Sequence, residues 1–125
     1  MIEIKKEEIP IEEAINSLRN PRRGAIVSYL GTVRDFAEGK HTSGMIIEAD
    51  ETTMRKGLEG IEEEARQKFA VEEIAIVHRI GTLAVGESVL LIIVGAVHRE
   101  PAFEACKFII DQIKSLHTLW KREIV

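Results

Sequence analysis

The chain is short of several things, and each shortage removes a class of function. There is one cysteine, Cys106, so neither an intrachain disulfide nor a cysteine-based zinc site is possible. No stretch of 18 apolar residues occurs, which leaves no membrane-spanning helix to expect. The N-terminal MIEIKKEEIP lacks a signal-peptide core. With the lone thiol, that points to a reducing cytoplasm. The four histidines (His41, His78, His98, His117) show no HxH or HxxxH spacing, so no metal site is expected. Walker loop, GxSxG elbow and GxGxxG are all missing. A net charge of −4 disfavours a nucleic-acid partner. There is no low-complexity stretch or linker, and at 125 residues one domain spans 1–125.

What is present is a chain able to build a core, with 45% apolar and 30% charged residues. Ile11–Arg19 has Ile11, Ala14, Ile15 and Leu18 on one helical face, and Asn20-Pro21 stops it. Gly24–Val33 and Gly44–Asp50 read as strands, with a polar loop over Asp35–Ser43. Thr52 or Thr53 is placed to cap a helix reaching Phe69, with Met54, Leu58, Ile61, Ala65 and Phe69 inward. Glu72–Ile80 reads as a strand, and Gly81 and Gly86 bracket a turn region. Glu87–Val97 is apolar enough for a strand buried on both faces. Pro101–Leu116 reads as a second long helix, whose stripe of Phe103, Cys106, Ile110 (or Ile109), Ile113 and Leu116 extends to Trp120 as a packing anchor. The order predicts a mixed α+β or two-layer fold: a mixed or antiparallel sheet covered by two long helices, with a short N-terminal helix.

Charge is distributed unevenly. Residues 48–73 hold nine acids against four bases, whereas 114–125 hold Lys114, Lys121 and Arg122 against Glu123 alone. A basic end on an acidic chain suits a small anionic ligand.

The dipeptide His-Arg ends an apolar run twice, in VHRIG (77–81) and VHREP (97–101). After VHREP, Pro101 fits the first turn of a helix. His98 and Arg99 therefore stand at a strand-to-helix junction, where free N–H groups, an imidazole and an Arg fork can clamp an anion. The plainer alternative pairs Arg99 with Glu100 or another surface acid. After VHRIG no helix starts, so His78 is expected half-buried and Arg79 to position strands or meet an acid or a neighbouring subunit. Lys114 and Lys121 are seven residues apart, on nearly one face if the helix continues, with His117 between. Paired ammonium groups can do acid–base work; otherwise they are solvated cations at a helix C-terminus. Arg34 ends the first strand and faces either a cleft or water.

Taken together, GTVRDF (31–36), HRIGTLAVGE (78–87), VHREPAFEACKFIIDQIK (97–114) and WKRE (120–123) resemble the MoaE family, the large catalytic subunits of molybdopterin synthase. The resemblance runs over about residues 11–123, and HR–x2–AF–x10–K–x6–K–R–E is its most specific part. It implies an α/β hammerhead-like fold and a sulfur transfer. Two sulfurs would pass from the C-terminal Gly-Gly thiocarboxylate of a small ubiquitin-like subunit to cyclic pyranopterin monophosphate (precursor Z), giving the molybdopterin dithiolene of the molybdenum cofactor. It implies a homodimer of large subunits within a heterotetramer, and no cofactor of its own.

Carried over by motif, Arg34, His98 and Arg99 would hold phosphate and pterin, with Thr32 and Val33 on the same wall. Lys114 would be the main catalytic lysine and Lys121 its partner, both also binding substrate. Arg122 and Glu123 would complete the pocket edge. Two departures accompany the match. Family members usually continue past WKRE with a segment that shapes the pocket and subunit contacts, and residues 47–58 lack a tyrosine often found there. The alternatives are a non-catalytic module of the same fold that grips a pterin or the ubiquitin-like tail, and an anion sensor or small hydrolase built on His98 and Arg99.

Overall fold

The computed structural model describes residues 1–37 and 39–124. Its centre is a four-stranded mixed sheet of order β1-β6-β8-β2. These strands are β1 (Ile2–Lys5), β6 (Glu73–Arg79), β8 (Ser88–Ala96) and β2 (Ala25–Thr32). β1 runs parallel to β6, and the other two pairings are antiparallel. β8 is interior, so both of its faces are covered. Leu90, Ile92 and Val94 enter one apolar cluster, and Leu91 and Ile93 enter another. Each such fully buried side chain contributes about 1.5–3 kcal/mol.

Helices occupy both sides of this sheet, so the mixed α+β expectation holds and its two-layer alternative does not. α1 (Ile11–Ser17) lies against Ala75, Val77, Leu91 and Ile93 through Ala14, Leu18 and their neighbours. α2 (Glu51–Lys68) and α3 (Arg99–Trp120) cover the opposite face. Alternation along β6 explains why both sides need covering, since its odd- and even-numbered residues from Ile74 to Val77 are all apolar. α2 buries Met54, Leu58, Ile61 and Ala65, as its spacing predicts. Its N-cap is Asp50 rather than a threonine: the Asp50 carboxylate accepts from Thr53 N–H at 3.0 Å and from the Thr53 hydroxyl at 2.9 Å. Asp50 is the residue that still has extended backbone, so its oxygen can reach the free N–H.

α3 is longer than expected at both ends. Its buried stripe is Ala102, Ala105, Cys106, Ile109, Ile113 and Trp120. Phe103 is 60% exposed, contrary to expectation, because it lies one residue and about 100° off that stripe. Ile109 is the buried member of the Ile109–Ile110 pair.

A second, antiparallel sheet of order β7-β5-β9 joins β7 (Gly81–Ala84), β5 (Gly44–Ile47) and β9 (Lys121–Ile124). A two-residue ladder, β3 (Phe36–Ala37) with β4 (Lys40–His41), occupies the stretch expected as loop. Thus β1, β3, β4, β7 and β9 are additions to the predicted order. No described helix is long and apolar enough to cross a membrane.

Candidate functional site

α3 passes directly into β9 at Trp120–Lys121, and this junction builds the site. The Lys121 N–H still bonds the His117 carbonyl, closing the last helical turn, while its own backbone is extended. From Lys121 onward the chain pairs with β5, in the register Ile47↔Lys121 to Gly44↔Ile124. Lys121 is therefore the first strand residue: the helix outruns its expected end at Leu116 but stops one residue short of Lys121. The lysines converge all the same. Lys114 precedes His117 by three residues, and Lys121 follows it by four, so both flank the same imidazole.

Strand alternation then divides WKRE. Lys121 and Glu123 share one face of β9, where Lys121 Nζ meets a Glu123 carboxylate oxygen at 3.2 Å. Arg122 faces the other way and donates to Glu48 at 2.9 Å. Trp120 is buried, and its carbonyl accepts from Glu48 N–H at 2.8 Å.

His117 is the chemical centre of this end. Its Nε2 lies 3.0 Å from Nε2 of His78, which is fully buried at the end of β6. Burial, followed by His78, Lys121 and Lys114, pushes the His117 pKa down to about 4. Burial also holds His78 below the ordinary histidine range, against the raising effect of its bond to the Arg79 carbonyl. Trp120 packs edge-on to His78 with ring centres 5.8 Å apart.

The end of β2 belongs to the same edge of the sheet. His78, Leu90 and Gly31 lie in one row across β6, β8 and β2, so Thr32, Val33 and Arg34 follow directly beyond that row. Val33 is buried, its N–H bonded to the Glu87 carbonyl at 2.9 Å. Thr32 is exposed. The Arg34 carbonyl accepts from the Thr42 hydroxyl at 2.9 Å, and the Arg34 side chain is left exposed. Arg79 anchors the edge from behind, donating to the Lys6 carbonyl at 2.8 Å and the Ser88 carbonyl at 3.2 Å. It is buried and joins the end of β1 to the start of β8, the positioning role expected of VHRIG. His78, expected half-buried, is wholly enclosed.

His98 and Arg99 are elsewhere. They stand at the N-terminus of α3, both exposed, with His98 as the extended cap residue making no side-chain capping bond. Lys114 lies fifteen positions along the helix from Arg99, roughly 22 Å at 1.5 Å per residue. One chain therefore assembles Thr32, Val33, Arg34, Lys114, Lys121 and Glu123 at one end of the sheet and His98 with Arg99 at the other. Arg122 borders the first group from the far face of β9. Among the described residues no group of three or more His, Cys, Asp or Glu could hold a metal ion. The long-range partner His78 was hidden in the sequence, since 39 residues separate it from His117. The only local signal was a histidine spaced three and four residues from two lysines.

Comparison with known proteins adds a family to this geometry. The family model described as MoaE protein matches residues 4–116. The chain is 42% identical over 120 residues to a molybdopterin synthase catalytic subunit from Pyrococcus abyssi, covering 96% of this chain and 81% of that one. It is 36% identical over 124 residues to another from Thermoplasma volcanium, covering 99% and 90%. Among solved structures, a molybdopterin synthase from Staphylococcus aureus superposes with a TM-score of 0.87 at 33% identity, covering 98% of this chain and 89% of that one.

Proposed function

The chain belongs to the MoaE family, and from that premise we propose that it is the catalytic subunit of a molybdopterin synthase, transferring sulfur to cyclic pyranopterin monophosphate. The observation that supports this reading best is the convergence of Lys114 and Lys121 on His117, beside the strand end that bears Arg34. A phosphate-bearing pterin and a thiocarboxylate tail are both anions, and a basic cleft attracts both. Sulfur attack with loss of an oxygen leaving group requires proton transfer and the offsetting of developing negative charge. In this reading Lys114, exposed and on rigid helix, is the acid/base. Lys121, already paired with Glu123, is the electrostatic partner, and the incoming anion competes with that carboxylate. Arg34 offers its fork to the phosphate.

The separation along α3 bears on the assembly. His98 and Arg99 cannot reach the same small ligand as Lys114 of their own chain. A homodimer resolves this, with the His98–Arg99 end of one copy completing the lysine end of the other. Val97 and Phe103, 46% and 60% exposed, flank that dipeptide with apolar surface suited to burial against another chain. The sulfur donor is a small ubiquitin-like subunit ending in a Gly-Gly thiocarboxylate, docked so that its tail reaches the lysines, and the complex works in the cytoplasm.

Reconstitution tests the proposal. Mixed with a thiocarboxylated small subunit and the pterin precursor in single turnover, the chain should form dithiolene. Binding of both without dithiolene would leave it a binding module and sink the enzymatic reading.

A further inference from the structure

Under the lysines lies a pair of imidazoles with a fixed proton arrangement. His78 Nδ1 is 2.8 Å from the Arg79 carbonyl oxygen. A carbonyl only accepts, so Nδ1 carries the proton. Neutral His78 then presents a bare Nε2, and the 3.0 Å contact requires His117 to donate its Nε2–H. That leaves His117 in one tautomer, with Nδ1 as an acceptor. Trp120 and the edge-on packing of the two histidine rings, 5.2 Å between centres, hold the arrangement in place. An apolar pair would fill the same volume without desolvating polar nitrogens, so packing alone gives no reason for two histidines here.

Three elements bring charge or titratable groups to His117: His78 from β6, Lys114 from α3, and Lys121 from β9 with its partner Glu123. Two of these are cations. A third positive charge between them would drive them apart, and a neutral acceptor draws them in. We propose that His117, seated on His78, is a positioning residue for the lysine pair, its Nδ1 being the uncharged acceptor toward which the Lys114 and Lys121 ammonium groups turn as substrate enters. Its depressed pKa of about 4 keeps this acceptor uncharged through the neutral range. The proposal rests on the reading of Lys114 and Lys121 as the lysines of sulfur transfer.

Two variants of the full chain, assayed in single turnover with the thiocarboxylated small subunit, test it. His117→Leu keeps an apolar filling and removes both polar nitrogens. It should slow sulfur transfer by about tenfold with substrate affinity unchanged, the size of one lost charge-assisted hydrogen bond. His117→Gln offers an amide N–H to His78 and a carbonyl to the lysines, and should recover to within about threefold. A leucine variant as fast as the parent overturns the proposal, as does a glutamine variant as slow as the leucine. Lys114→Ala, run alongside, separates the two levels. If it is inactive while His117→Leu is fully active, only the positioning role fails; if Lys114→Ala is fully active, both readings fail. Should His117→Leu not fold, nitrogen-15 spectra of the unaltered chain decide. His78 protonated on Nδ1 and His117 on Nε2, with His117 uncharged between about pH 8 and 5, is the expected result. A His117 protonated on Nδ1, or charged at about pH 6, overturns it.

Discussion

Lys114 is exposed on the outer face of α3, so its removal exposes no cavity and leaves no buried group without a partner. Lys114→Ala should therefore lower dithiolene formation by about 100-fold or more, the range of a lost acid/base, with an unchanged melting temperature. Rate and thermal unfolding measured on one preparation check this, and an active alanine variant removes the assignment. The buried imidazoles make a separate prediction about stability. A histidine whose folded pKa lies below its unfolded value of 6.5 takes up its proton more readily in the unfolded chain. His117, at about 4 when folded, thus costs nothing above about pH 6.5. Stability should fall as pH drops from there toward 4, by at most about 1.4 kcal/mol per pH unit for this one group. His78, also lowered, adds in the same direction. Denaturant midpoints between those pH values should show the slope, and His117→Gln should flatten it relative to the parent, which cancels the shared titration of the carboxylates.

The elements that the sequence made legible are those whose signal is internal to them. The stripe from Met54 to Ala65 and the apolar run of β8 need no partner to be recognised. Strands of four residues do, since β1 is a strand through its pairing with β6, and β9 through its pairing with β5. This is why the spacing of Lys114 and Lys121 suits a continued helix while Lys121 begins a strand in the fold. The convergence of the lysines was legible because it spans one helical turn on either side of His117. The distance between VHREP and Lys114 was implied as well, because Pro101–Leu116 already reads as one helix; the His78 that β6 brings to His117 was not, because it depends on how the sheet and α3 pack. Two substitutions probe element joints. Asp50→Ala removes the α2 cap and should cost about 1 kcal/mol without affecting sulfur transfer, seen as a lower denaturant midpoint. At Gly24 a Cβ would collide with the Val97 carbonyl oxygen, a backbone atom that cannot rotate away. Gly24→Ala should therefore cost about 1–3 kcal/mol and displace the junction that carries His98, a larger loss than at the Asp50 cap.

At the scale of the whole molecule, the question is whether one chain holds a complete site. The roughly 22 Å of rigid helix between Arg99 and Lys114 keeps the two from touching one small ligand within a single chain. In the proposed twofold dimer the same interface would occur twice, so each chain would lend its His98–Arg99 end to its partner's lysines and borrow in return. That reciprocity has a kinetic signature. A dimer formed from one Arg99→Ala chain and one Lys114→Ala chain has both defects in one of its two sites and neither in the other. Either variant alone should be inactive at both sites. Co-refolding the two in equal amounts gives half mixed dimers with one intact site each, so activity should return to about a quarter of the unaltered protein's. If the two clusters served separate sites, or if each chain worked alone, mixing would give only the sum of the residual rates. Sedimentation of the refolded mixture, run beside the assay, distinguishes a failure to exchange chains from a site contained within one subunit.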